Sequence, residues 1–254
     1  MVTKNEGQMM RTQLSFFISG LLSMLILVSA ESRGQTTEKF LPLPEGQVAF
    51  SSKDGRRLLA ASHHQEAFWK LSQFFNTQQD LGSCGVATSV TVLNALDVPR
   101  PQSVMHGEYK IFTAENIFSK SVQEYLTPDK VSRSGMTLEQ LAKLLETHNA
   151  DVTLNHGSES SLNLFRDHLK KHLAKNTHFV VINYLRSAVG QNSGGHISPI
   201  GAYSDSRDMV LIMDTSSYKY PWTWVATESV WDAMRQGRDS ESKKSRGYLL
   251  IRAK

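Results

Sequence analysis

Cys84 is the one cysteine in a chain of 254 residues. A single cysteine has no internal disulfide partner and excludes a zinc site built from several cysteines. What remains is an intermolecular bridge, an inert packed thiol or a reactive one. The surroundings are Gln78-x5-Cys84-Gly85, followed by Val86, Val90, Leu93 and Leu96 at helical spacing. Ser83 stands where an N-cap belongs and Pro99 lies just past the end. A thiol in the first turn of such a helix has its thiolate favoured by free N–H groups and the macrodipole. Gly85 leaves room for an approaching carbonyl. Gln78, six residues upstream, can donate its amide to an oxyanion forming beside the sulfur.

A thiolate needs a base. Gly194-Gly195-His196 opens one strand and Asp214 closes the next, with a turn near Asp205 between them. That hairpin sets His196 and Asp214 at the same end of two paired strands. A carboxylate there fixes the imidazole tautomer and aims it at a thiol. Each feature alone has a plainer explanation: a packed thiol, a solvated histidine, an aspartate capping a turn. All three, in the order Cys…His…Asp, favour a catalytic thiol over those plainer readings.

The other histidines carry less. His168 and His172 lie at i, i+4, a spacing that can hold a metal ion. Their neighbours Arg166, Lys170 and Lys171 favour a solvated helix face. His63 and His64 read as a surface pair, and His106, His148, His156 and His178 show no companion pattern. Trp222 and Trp224 read as core more readily than as pocket lining, and Met209 and Met213 as strand packing.

The elements that must position the site follow from periodicity and punctuation. Glu66–Phe75 reads as a short helix. Thr137-Leu138-Glu139-Gln140 has the form of a capping box, followed by the stripe Leu138, Leu141, Leu144 and Leu145. A further helix covers Leu162–Leu173. His178–Leu185, His196–Tyr203 and Asp208–Asp214 read as strands, Thr227–Met234 as a short helix and Gly247–Arg252 as a closing strand. Leu41–Pro44 and Ser51–Arg57 read as extended or turn-rich. A helical first half and a strand-rich second half predict an α+β fold of two lobes, with the site between them.

Composition adds limits. The chain is 40% hydrophobic and 20% charged, with formal charge +4, and its Lys and Arg residues are scattered. No nucleic-acid partner is expected. Lys4 and Arg11 precede an apolar run from Leu14 to Val28, and Val28-Ser29-Ala30 has the form of a cleavage site. Residues 1–30 therefore read as a signal peptide cut after Ala30, which implies export. An uncleaved anchor is the competing reading. Residues 31–45 read as a flexible linker and 46–254 as the catalytic domain, which makes no membrane contact after cleavage.

These segments together resemble the phytochelatin synthase family over residues 65–252. The resemblance is carried by Phe75-Asn76-Thr77-Gln78-Gln79 with Cys84-Gly85 and Val92–Leu96, by Tyr109–Thr113, and by Gly135-Met136-Thr137-Leu138. It continues through Gly195-His196-Ile197-Ser198-Pro199-Ile200-Gly201, Asp208–Asp214, Tyr218-Lys219-Tyr220-Pro221 and Arg246-Gly247-Tyr248. Papain-like proteases also carry Gln-x5-Cys-Gly before a helix. The resemblance implies a papain-like fold, a helical N-terminal lobe and an antiparallel-sheet C-terminal lobe, with a Cys84–His196–Asp214 triad and Gln78 as oxyanion donor. It implies glutathione and γ-Glu-Cys peptides as partners, cleaved at the Cys–Gly bond through an acyl-enzyme, the acyl group passing to water or to a second glutathione. Asn183, Gly195 and Arg246 match substrate-binding positions. No protein-bound metal or cofactor is expected in the chemistry; Cd²⁺ and similar ions enter as glutathione thiolate complexes or activators. A homodimer stays open. Where the family commonly carries Arg, three residues after the triad Asp, this chain has Ser217, which bears on acyl-acceptor binding or a structural ion pair. Without a second, cysteine-rich domain the chain resembles one-domain bacterial members, for which the periplasm and glutathione hydrolysis are the expectation. The competing readings are a cysteine peptidase or amidase on other γ-glutamyl or short peptides, and an inactive binding protein for thiol peptides.

Overall fold

Ser52 starts the first helix: its hydroxyl accepts from Gly55 N–H at 3.0 Å, and Lys53–Ala61 follows with Leu58 and Leu59 buried. The turn-rich reading of Ser51–Arg57 is corrected here, because an N-cap serine and an inward leucine pair outweigh the polar run. The computed structural model describes residues 40–192 and 194–254. The signal peptide, its cleavage after Ala30 and most of the 31–45 linker lie outside the described residues.

The helices Glu66–Gln73, Cys84–Ala95, Pro128–Ser134, Leu138–Thr147, Leu162–Leu173 and Thr227–Arg235 surround one sheet. Thr137 and Gln140 close the capping box in both directions, at 3.2 and 2.9 Å. Seven antiparallel strands make the sheet: β1 (Val48–Ala49), β2 (Ala150–His156), β3 (His178–Leu185), β4 (Gly195–Ser204), β5 (Met209–Ile212), β6 (Thr223–Ala226) and β7 (Gly247–Ala253). Their order is β1-β6-β5-β4-β3-β7-β2. The architecture is mixed α and antiparallel β, as the α+β reading required. The described residues from Phe40 on form a single unit, not two separable lobes, because β1 and β2, from the part read as helical, complete both edges of the sheet.

Two features of this layout position the site. Every residue of Cys84–Ala95 is buried, and the helix lies on β4, where Thr88 donates to the Ile197 carbonyl at 3.2 Å. Strand β3 is central, so Asn183 is paired with both Ile197 of β4 and Gly247 of β7. The ends of β3, β4 and β7 therefore converge beside the N-terminus of that helix. Among the described residues no helix is long and apolar enough to cross a membrane. Trp224 is core, donating to the Gly55 carbonyl at 3.0 Å, and Trp222 packs among Phe50, Phe68 and Phe75.

Candidate active site

Cys84 is the first residue of its helix and is 7% exposed. Ser83 occupies the cap position but does not cap. Its hydroxyl turns back to Asp80, accepting from the N–H at 3.0 Å and donating to the carbonyl at 3.1 Å. No side-chain hydrogen bond from the cap residue therefore occupies the N–H groups at the start of the helix. Burial pushes the thiol up. The His196 side chain, by hydrogen bond and charge, and the backbone N–H groups of Ile197 and Gly85 outweigh burial, and the net shift is downward. The space that Gly85 leaves is filled: a Cβ there would come within 2.9 Å of Met136 Sδ. This glycine lets Met136 and Ile197 close over the helix end, a packing role that spacing does not reveal.

His196 is buried, with its ring edge-to-face on Tyr184 at 5.8 Å. Its Nε2 meets Asp214 Oδ1 at 2.9 Å and Ser198 Oγ at 3.0 Å, which leaves Nδ1 for the thiol. Desolvation works against the imidazolium. The charge and hydrogen bond of Asp214, and then Cys84, outweigh it and raise His196 above its ordinary value. Desolvation likewise opposes the Asp214 carboxylate, but His196 and Arg186 hold it far below the usual range. Arg186 binds both Asp214 oxygens at 2.8 Å, and Ser216 N–H donates to Oδ1 at 2.8 Å. A buried thiol, imidazole, carboxylate and guanidinium thus stand in line, with each charge next to its opposite.

The second half of the site is built around the Arg246 guanidinium. Arg246 Nη1 donates to Asn183 Oδ1 at 2.6 Å, with Asp239 Oδ2 at 3.7 Å. Its Nε is buried without a hydrogen-bond partner. A Cβ on Gly195 would overlap the Arg246 guanidinium, so the glycine makes the place where the arginine lies. Cys84, His196, Asn183, Asp239 and Arg246 all line one cavity of ≈ 290 Å³.

Gln78 is buried close by, but its amide is already engaged. It donates to the Asp80 carbonyl at 2.7 Å and to Tyr218 Oη at 3.1 Å, and it accepts from Ser216 Oγ at 2.7 Å. To serve an oxyanion it must exchange one of those two donor contacts. Ser217 bonds Thr77 at 2.7 Å; the cation beside Asp214 is Arg186 instead. Arg186, Ser198 and Asp239 were not singled out from sequence. Arg186 had a faint signal, a cation directly after the buried run of β3, and Ser198 lay within the His196-Ile197-Ser198-Pro199 segment; Asp239 had none.

Fold and site define a class: α+β proteins in which a cysteine at a helix N-terminus faces a His–Asp pair on an antiparallel sheet. A family model described as phytochelatin synthase matches residues 38–248. The chain belongs to the phytochelatin synthase family. It is 33% identical over 217 residues to glutathione gamma-glutamylcysteinyltransferase 3 of Lotus japonicus, covering 84% of this chain and 43% of that protein. It is 31% identical over 215 residues to glutathione gamma-glutamylcysteinyltransferase 1 of Arabidopsis thaliana (83% and 42%), and 26% identical over 231 residues to the glutathione gamma-glutamylcysteinyltransferase of Schizosaccharomyces pombe (89% and 54%). The chain spans less than half the length of these plant relatives.

Proposed function

We propose that residues 46–254 are a papain-like cysteine enzyme that cleaves the Cys–Gly bond of glutathione and carries the γ-Glu-Cys acyl group on Cys84. The observation that carries this reading is the shared cavity, in which the thiol–imidazole pair and the Arg246–Asn183 cradle face the same space. In this scheme the Arg246 guanidinium forks onto the γ-glutamyl carboxylate, and the Asp239 carboxylate is suited to the neighbouring ammonium. The scissile carbonyl then lies over Cys84. The thiolate attacks, and the oxyanion takes N–H donors at the helix end and a freed Gln78 amide. His196, protonated and steadied by Asp214, gives its proton to the departing glycine amine. Water or a second glutathione thereafter accepts the acyl group and regenerates the thiol. Ser217 stands where the family commonly carries Arg, and in this scheme the loss of that cation, whether from acceptor binding or from an ion pair, favours water as acceptor. Export through residues 1–30 belongs to the same proposal, and N-terminal sequencing of the secreted protein tests it.

The test is mass spectrometry of the purified protein with glutathione, with and without Cd²⁺, beside Cys84→Ser. Free glycine and an adduct of γ-Glu-Cys mass on Cys84, both absent from the variant, are expected. The ratio of γ-Glu-Cys to longer chains then separates hydrolysis from transfer. No glycine release under reducing conditions would overturn the reading and advance a peptidase on other γ-glutamyl peptides or a non-catalytic thiol-peptide binder.

A further inference from the structure

The segment between the Thr227–Arg235 helix and β7 turns back on itself and carries two charged groups of the site, Asp239 and Arg246. The Gly237 carbonyl accepts from Arg246 N–H at 2.9 Å and the Lys244 carbonyl from Asp239 N–H at 2.9 Å, with Arg238 and Ser245 paired between them. The base of this hairpin is fixed to the chain at the end of β2. His156 Nδ1 meets the Ser245 carbonyl at 2.8 Å, Ser158 N–H donates to Ser245 Oγ at 3.0 Å, and Gly157 N–H donates to the Arg246 carbonyl at 2.8 Å.

The tip is held differently. Ser240-Glu241-Ser242-Lys243-Lys244 has no apolar side chain, so hydrophobic burial does not pin it down. Glu241 reaches to two helices instead. Its Oε1 accepts from Lys130 Nζ of Pro128–Ser134 at 2.6 Å and from Gln140 Nε2 of Leu138–Thr147 at 2.9 Å. Lys244 Nζ lies 3.0 Å from Glu139 Oε1. Ion pairs as exposed as these hold weakly and are screened by salt. Ser134, Met136 and Thr137 on one side and Asp239, Ser240 and Glu241 on the other enclose a cavity of ≈ 250 Å³. It shares Ser134, Met136, Asp239 and Ser240 with the cavity at Cys84. The tip therefore bridges open space that continues from the active site.

Asp239 ties the tip to that site. Its Oδ1 accepts from the N–H groups of Glu241 and Ser242, each at 2.9 Å, which shapes the turn, and its Oδ2 stands 3.7 Å from Arg246 Nη1. That separation is too long for a hydrogen bond, so Oδ2 is able to receive an ammonium group. One carboxylate braces the tip with one oxygen and presents the other to the cavity. A shift of the tip re-aims it.

We propose that Gly237–Arg246 is a strap over the substrate cavity, anchored at the end of β2 and latched by Glu241 to Lys130 and Gln140, and that the latch positions Asp239 for the amino group of the substrate. The inference rests on reading Arg246 and Asp239 as the groups that take the γ-glutamyl end. Glu241 acts through Asp239 and is a positioning residue. It holds substrate and transition state alike, so its loss is read in KM and not in kcat.

Steady-state glycine release from glutathione, with hydrogen exchange of residues 237–246 read by mass spectrometry, tests the strap. In Glu241→Ala and Lys130→Ala, KM is expected to rise about threefold to tenfold with kcat within about twofold of the parent. Exchange of the segment is expected to quicken in both variants in the absence of substrate, while exchange elsewhere in the chain stays as in the parent. Glu241→Gln, which still offers an oxygen to Lys130 and Gln140, is expected to recover most of the KM loss. With glycine release by the parent intact, an unchanged KM in Glu241→Ala, or exchange of the segment no faster than in the parent, would overturn the strap alone. No glycine release by the parent would overturn the reading of Arg246 and Asp239 on which the strap rests.

Discussion

Arg186 grips both carboxylate oxygens of Asp214 at 2.8 Å, with neither side chain more than 3% exposed. The carboxylate that orients His196 is thus held from behind by a cation on the loop after β3. An ion pair so enclosed contributes little net stability while intact, but removing one partner leaves the other charge uncompensated.

Arg186→Gln is expected to lower the unfolding free energy by about 3–5 kcal/mol, read by urea denaturation. The Asp214 pKa is depressed in the folded state, so its contribution is present above the unfolded value, about 3.9, and fades as pH falls towards the folded one. The variant should therefore show a flatter decline of stability below about pH 4 than the parent. Unchanged stability and an unchanged acid limb would show that Asp214 does not depend on Arg186.

Cys84 is shifted down and His196 up, so each charged form favours the other and a thiolate–imidazolium pair is promoted. Alkylation of Cys84 by iodoacetamide should extend to lower pH than that of a free thiol and lose part of that extension in Asp214→Asn. Glycine release should rise as Cys84 deprotonates and fall as His196 loses its proton, above the ordinary histidine range. The raised His196 contributes stability fully present below about pH 6.5 and lost as pH rises through its folded value. A single alkylation step near pH 8.5 would rule the pair out.

Gly195→Ala places a methyl group where the Arg246 guanidinium lies. The expected result is a KM for glutathione raised roughly 10–100-fold, the equivalent of losing charge-assisted hydrogen bonds, with a smaller change in kcat. Arg246→Lys should do the same, because an ammonium does not fork. An unaltered KM in both variants would detach this cradle from the substrate.

Gln78→Ala should reduce kcat by about 10²–10³-fold if its amide reaches the oxyanion, with the midpoint of unfolding as control. Tyr218→Phe frees one amide hydrogen of Gln78 and should leave kcat within a few-fold of the parent. A kcat loss in Gln78→Ala of less than tenfold would assign Gln78 to holding Thr215 and Ser216 alone.

Much of the fold was written locally. The strand His178–Leu185 and the helix Leu162–Leu173 have the bounds that periodicity sets, because a buried β run and an amphipathic stripe are each encoded within one segment. The Thr137 capping box is three residues of chemistry and needed nothing else. The order Cys84, His196, Asp214 and the hairpin that aligns the last two were also legible, since the turn at Asp205–Asp208 fixes which strand ends meet. Edge strands β1 and β2 were not, because they are short or half-polar and become strands only by pairing with β6 and β7. The partner of Asp214 and the arginine that fills the place of Gly195 lay beyond any sequence window. Each joins residues from different segments, and only the strand order, with β3 between β4 and β7, brings those segments to one point.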